Sequence, residues 1–340
     1  MTNQSNQIEK HPVVVLGMHR SGSSAITEFL TVHGLYFGSE KDSIGKNKEN
    51  ERGFWERRDV RDLNDEILQY LDCDWDSVSS FDISKIDEET KKEFVSKARL
   101  IHDKLICESS NGYVLKEPRV CLTYPIWEEA FHDNESVIVF IHRNPIEIAL
   151  SLEKRNNYEQ KFSLNLWYRY VVSALKCMKN KRVLFISYDE LSSNPAFVSQ
   201  KLVQYLNEKN IDIIEPSNSD ISSVIKPNLR HQIVDGEKLS GNFKLLNEHL
   251  NNLCQQGIVD NYIPISLNHK LNENYLEEKN INLNKYFLFK NKYENENKYV
   301  QKLKFRIESL EEDIREKNKI IQDYNNIFVV RLWKKIKSKF

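Results

Sequence analysis

Two groups of residues in this chain have the types and spacing to hold phosphate. The first is Gly17-Met18-His19-Arg20-Ser21-Gly22-Ser23-Ser24, between an apolar run and a helix-like stretch. Its spacing matches the phosphate-loop pattern G-x-x-x-x-G-K-[ST], with Ser23 where the lysine would stand. Glycines let the backbone curl so that N–H groups turn inward, and a helix N-terminus adds the positive end of its dipole. Serine hydroxyls donate further bonds, and Arg20 supplies a cation in planar, bidentate form. The missing lysine turns the reading away from a kinase or NTPase, which uses it together with Mg²⁺. No Walker-B-like acidic strand end is visible: the apolar runs close on Lys116, Arg143 and Tyr188-Asp189, and Asp189 belongs to a different motif. The bland alternative is a Gly/Ser turn without ligand. The second group is Arg143 with Ser151 eight residues later. An arginine at a strand end plus a hydroxyl in the following helix is an economical holder of a terminal phosphate; the alternative for Arg143 is a surface ion pair.

Positioning these residues requires strands that end beside them. Four continuous apolar runs fit, at residues 12–17, 112–115, 137–142 and 183–188. Runs that do not alternate are the mark of strands covered on both faces of a parallel sheet. Helical spacing appears at 23–34, 146–155, 162–178 and 195–206, the last opening on Pro195. The pattern predicts an α/β fold, a P-loop-type three-layer sandwich with a parallel sheet, over residues 11–250. A flexible N-terminus at 1–10 precedes it. Residues 251–298 are rich in Asn, Lys and Glu and read as a polar linker region. Over 299–328, Val300, Leu303, Ile307, Leu310, Ile314, Ile321, Tyr324 and Phe328 keep a 3/4 spacing. That predicts a C-terminal helical extension, either a coiled coil able to self-associate or one amphipathic helix docked on the domain. The tail at 329–340 carries Arg331, Lys334, Lys335, Lys337 and Lys339 with no acid. It reads as a basic amphipathic end for an anionic membrane surface or a partner, against a frayed tail.

Bulk properties set wide limits. With 340 residues, 40% of them hydrophobic, a sizeable core can form; 29% charged residues and a mean hydropathy of -0.60 imply that part of the chain is not core. A net charge of -1 gives no ground for a nucleic-acid partner. Cys73, Cys107, Cys121, Cys177 and Cys254 are scattered, without a C-x-x-C pair, as in a reduced cytoplasmic protein. No signal segment and no spanning apolar stretch are visible. The expected location is cytoplasmic, with peripheral contact at the inner face of the membrane through the tail.

With these residues in view, a resemblance becomes specific. GMHRSGSS resembles the 5′-phosphosulfate loop of sulfotransferases that use 3′-phosphoadenosine 5′-phosphosulfate, above all a bacterial group with GMHRSGTS. Residues 51–56 (ERGFWE) resemble that group's RGYWE, and Lys116-Glu117-Pro118-Arg119 its KDPR. His142-Arg143-Asn144-Pro145 with Ser151 resembles the 3′-phosphate motif R-x-P…S with the same eight-residue gap, and Tyr188-Asp189-Glu190-Leu191 resembles YEDL. The resemblance covers about residues 11–235. Ser23-Ser24 departs mildly from Thr-Ser. Residues 226–231 (KPNLRH) stand where small-molecule enzymes of the family carry a further cofactor-binding loop.

The resemblance implies an enzyme that moves a sulfuryl group from 3′-phosphoadenosine 5′-phosphosulfate to a hydroxyl of a carbohydrate or glycolipid by in-line displacement, with no metal required. Gly17, His19, Arg20, Ser21, Gly22, Ser23, Ser24, Arg143, Ser151 and Tyr188 would bind the donor, Tyr188 by stacking on adenine, with a place in the core as its equal alternative. Arg20 and Lys116 would serve the reacting groups. Pro118 is expected to hold Lys116 and Arg119 in an extended turn. Glu56 is the favoured base, its pKa raised by Phe54 and Trp55, against an ion pair with Arg57 or Arg58. His19 and His33 are rival bases, His33 more as packing. The acceptor pocket is expected from residues 38–50, 74–84 and 156–161, with Trp75, Tyr158, Trp167 and Tyr168 as rings for sugar or for core. Two other readings remain at this point: a P-loop kinase of a sugar or nucleotide, and a non-catalytic scaffold organised by the coiled coil.

Overall fold

The computed structural model describes residues 10–45, 55–131, 135–224, 239–265, 331 and 333–337. The expectations for residues 51–54, 226–231, the greater part of the linker and the 299–328 helix lie outside the described residues. The chain divides into two compact units, Met1–Leu267 and Asn268–Phe340.

The first unit is built on a five-stranded sheet in the order β2-β1-β3-β4-β5. Strands β1 (His11–Leu16), β2 (Gly112–Lys116), β3 (Val137–His142) and β4 (Val183–Ser187) run parallel, and β5 (Ile258–Val259) pairs antiparallel with β4. Both faces are covered, which is why the strands read as unbroken apolar runs. Val14, Leu16, Leu115, Phe140 and Phe185 pack on one side; Val13, Val15, Val139, Ile141 and Ile186 pack on the other. Each fully buried aliphatic side chain contributes roughly 1.5–3 kcal/mol.

Helices α1 (Ser23–Val32), α8 (Pro195–Asn207) and α9 (Asn218–Val224) cover the second face, with α7 (Tyr188–Ser193) leading from β4 into α8. The first face is covered by α2 (Arg58–Tyr70), α3 (Glu88–Glu108), α4 (Val120–Ala130), α5 (Pro145–Asn156), α6 (Gln160–Cys177) and α10 (Gly241–Gln256). The result is the three-layer α/β sandwich. His33 packs in the second core, its ring bonded to Phe29 O (2.7 Å) and Ser199 Oγ (2.8 Å).

The expected helical stretches leave out α2, α3, α7, α9 and α10 as well as α4, and two further points differ from expectation. Helix α4 was not anticipated because Pro125 lies inside it and its side chains, Tyr124 and Trp127 among them, are buried almost all round, which erases helical periodicity. The domain runs past residue 250: α10 buries Leu250, Leu253 and Cys254, and β5 extends the sheet, so residues 251–259 belong to the domain and not to a linker. Arg119 has helical backbone angles (φ -65, ψ -17) instead of the extended turn predicted from Pro118, because it opens α4.

Because β1 lies between β2 and β3, the chain crosses from one side of β1 to the other between those strands. The crevice at the carboxyl ends of β1 and β3 is the switch point where open α/β sheets bind ligands. No helix among the described residues is long and apolar enough to cross a membrane. Of the cysteines, all free, Cys73, Cys121 and Cys254 are buried and Cys107 is exposed. In the second unit, residues 331 and 333–337 are helical, with Trp333 and Ile336 exposed.

Candidate active site

The loop after β1 turns tightly, with Ser21 N–H donating to Met18 O at 3.1 Å. Arg20 (φ 69) and Gly22 (φ 94) both take left-handed backbone angles. A Cβ on Gly22 would lie 2.2 Å from Tyr188 Cδ2, and one on Gly17 2.6 Å from Ile141 Cγ2, so neither site admits a side chain. Helix α1 begins at Ser23 with no side-chain cap, and its first backbone bond is Ile26 N–H to Gly22 O at 3.2 Å. First-turn N–H groups with no helical acceptor are what receives an anion. Ser21 Oγ and His19 Nε2 are buried without a hydrogen-bond partner. A buried orphan of this kind costs about 1–3 kcal/mol, which a bound anion at Ser21 would offset. The loop therefore fits a phosphate.

Arg20 ties this loop to the end of β3. Its Nε donates to Ser151 Oγ in α5 at 2.8 Å, and its carbonyl accepts from Arg143 at 3.2 Å. Arg143 is further held by Glu147, one turn into α5, at 2.9 Å, and its guanidinium lies 4.7 Å from the centroid of the Tyr188 ring. Arg143 and Ser151 are thus joined through Arg20 and not to each other. Tyr188 packs against Gly22 and Arg143 and is only 8% exposed.

Lys116, the last residue of β2, donates to Glu56 Oε1 at 2.7 Å and to Ser24 Oγ at 3.2 Å. It reaches from the loop to the carboxylate 60 positions earlier in the chain. The Glu56 segment is fixed through its backbone: Ile44 N–H donates to Glu56 O and Arg58 N–H to Asp42 O, both at 2.8 Å. Arg57 and Arg58 are occupied elsewhere, Arg57 with Asp59 and Asp42 and Arg58 with Lys41 O, so Glu56 pairs with neither.

Beneath Lys116 lies a buried network that sequence reasoning missed. Glu117 accepts from Arg119 NH1 (2.5 Å), Arg119 N–H (3.0 Å) and Asn64 Nδ2 (2.8 Å), and Arg119 Nε pairs with Asp65 at 2.7 Å. Asn64 Oδ1 accepts from Thr123 and Trp127. Burial pushes the Glu117 carboxyl above the usual carboxylate range. The available signal was Asn64, a polar residue on the apolar stripe of α2 beside Val60, Leu63 and Ile67.

His19 sits 4.8 Å from the Trp75 ring and 5.7 Å from Tyr170. Burial, and then the charges of Arg119, Arg155, Lys116 and Arg20, hold its pKa well below the ordinary value, so the imidazole is neutral. Two of the three expected acceptor segments meet here, where Tyr158 donates to buried Asp76 and Arg155 lies 5.3 Å from the Trp75 ring centroid. Trp167 is core, 1% exposed.

Comparison with known proteins follows the same residues. The model of the family described as "Sulfotransferase family" matches residues 12–212, more than half of the chain. Among solved structures, the sulfotransferase domain from the Synechococcus PCC 7002 olefin synthase is similar at 17% identity and a TM-score of 0.41, covering 74% of this chain and 97% of that one. The sulfotransferase domain from the curacin biosynthetic pathway is similar at 15% identity and a TM-score of 0.34, covering 76% and 94%. No curated protein sequence matches.

Proposed function

This chain belongs to the sulfotransferase family, and on that premise we propose that it takes the sulfuryl group of 3′-phosphoadenosine 5′-phosphosulfate and delivers it to a hydroxyl of a carbohydrate or glycolipid. The observation that carries the donor assignment is the junction at Arg20. One residue joins the phosphate loop to Arg143 and Ser151, which makes two anion subsites side by side at the switch point. That pairing suits a nucleotide bearing phosphate at both the 5′ and 3′ positions.

When bound, the donor supplies an activated sulfuryl group. The residues of the chain do the rest. The loop N–H groups, Ser21, Ser23, Ser24 and Arg20 hold the 5′-phosphate, and Arg143 with Ser151 holds the 3′-phosphate. The acceptor oxygen bonds to sulfur as the bond from sulfur to the 5′-phosphate oxygen breaks, and the hydroxyl proton passes to Glu56. Lys116 touches both Glu56 and Ser24. Turned toward the loop, its ammonium stabilises the leaving oxygen and releases the Glu56 carboxylate to act as base. Half-buried Trp75 and Tyr158 beside the Asp76 carboxylate suit the apolar face and hydroxyls of a sugar ring.

Calorimetry with adenosine 3′,5′-bisphosphate tests the donor site: Arg20→Ala and Arg143→Ala each abolish measurable binding, and unaltered affinity in both overturns the assignment. Transfer of radiolabelled sulfate to glycan and glycolipid fractions tests the reaction. Glu56→Gln lowers kcat by about 10²–10⁴-fold with bisphosphate affinity retained. A loss confined to His19→Asn instead moves the base to His19, whose Nε2 is the orphan beside Trp75.

A further inference from the structure

We propose that the helical segment at residues 331 and 333–337 is a binding site for an anionic lipid surface. Charge is distributed unevenly along the chain. The last ten residues hold five cations and no acid, whereas the other 330 hold 44 Lys and Arg against 50 Asp and Glu. A basic end on an otherwise acidic chain points to an anionic partner.

The structure adds the shape of that end. Trp333 and Ile336 are one helical turn apart, so they share a face, and they are 62% and 53% exposed. At 100° per residue, Lys337, Lys334, Arg331 and Lys335 follow one another round the remaining arc. Lys337 Nζ lies 4.8 Å from the centroid of the Trp333 ring, so a cation stands at the edge of the apolar face. A short apolar face containing tryptophan, bordered by lysines, is the pattern of a helix lying in the plane of a bilayer interface. The indole and the isoleucine enter the acyl boundary while the lysine heads reach the headgroups.

Other occupants fit less well. A second copy of the segment would bring cation against cation. A nucleic acid would satisfy the lysines and leave Ile336 in water. An anionic lipid surface satisfies both faces, and a segment this short gives weak, reversible attachment.

Flotation of the full-length chain with vesicles tests the proposal. The protein floats with phosphatidylcholine vesicles containing about 30 mol% phosphatidylglycerol, not with phosphatidylcholine alone, and binding falls as salt is raised. Lys334→Ala, Lys335→Ala and Lys337→Ala each lower the partition coefficient about fivefold, and Trp333→Ser with Ile336→Ser together abolish flotation. Binding of adenosine 3′,5′-bisphosphate stays unchanged in every variant, which shows that the domain is folded. Equal partition into neutral and anionic vesicles, or partition insensitive to these substitutions, overturns the proposal. So does displacement by single-stranded nucleic acid at lower concentration than by vesicles, or a vesicle-free dimer that the same substitutions dissolve.

Discussion

The ends of β2 and β3 flank β1 and deliver cations to one crevice, yet they are held in different ways. At β3 the main supports are local: Asn144 caps Ile146 N–H, Pro145 starts α5, and Glu147 fixes Arg143 from one turn away, with the Arg20 carbonyl and the Tyr188 ring as more distant contacts. At β2 the local contact between Glu117 and Arg119 is joined by contacts from far along the chain. Lys116 is held by Glu56, and Glu117 and Arg119 are fastened to Asn64 and Asp65 of α2. The β3 end is therefore held chiefly by its own strand and helix, whereas the β2 end depends on the docking of α2.

The sharpest way to break this contrast is Glu117→Ala. It leaves the Arg119 guanidinium buried without its main partner, and a loss of about 3–5 kcal/mol in denaturant unfolding is expected. A loss below about 1 kcal/mol means that α2 is not anchored through this carboxylate.

At the β3 end the largest stored effect is one of pH. Burial pushes the His142 pKa down to about 4 from 6.5. Between those values the unfolded chain binds more protons than the native one. Stability is therefore complete above pH 6.5 and is lost as pH falls toward 4, by about 3 kcal/mol in all. His142→Gln, which keeps a side chain able to bond Asn247, should flatten that slope in unfolding curves taken across the range; an unchanged slope assigns the acid sensitivity to other groups.

The smallest effect is reserved for the local pair. Glu147→Ala is expected to weaken adenosine 3′,5′-bisphosphate binding about tenfold, near 1.4 kcal/mol, because Arg143 keeps the Tyr188 ring and the Arg20 carbonyl. Unchanged affinity shows that those two contacts suffice to position it.

What was legible in the sequence follows the same division. Strands β1 to β4 were readable because both faces of each are covered, and α1, α5, α6 and α8 because each keeps one apolar face. Arg20 and Arg143 could be singled out because each lies within a few residues of a strand end, and Ser151 because it follows Arg143 at an eight-residue gap. Their connection through Arg20 was not visible, since it depends on how β1 and β3 lie side by side. Helix α4 hid behind Pro125 and a surface buried almost all round, and β5, two residues long, carries too little pattern to detect. The Lys116–Glu56 contact joins residues on separate elements, and no spacing rule reaches across such a gap. Glu117 and Arg119 were noticed as members of a motif, but their partners in α2 were not.

The Lys116–Glu56 ion pair has a consequence for the idle enzyme. In the proposed reaction the donor is reactive toward any oxygen nucleophile, and water is always the most abundant one. A carboxylate already neutralised by an ammonium withdraws a proton from water poorly, so a donor waiting without acceptor is spared hydrolysis. In the proposed mechanism the pair would then act as a safety catch as well as a positioning device, its worth measured in donor molecules not wasted between turnovers.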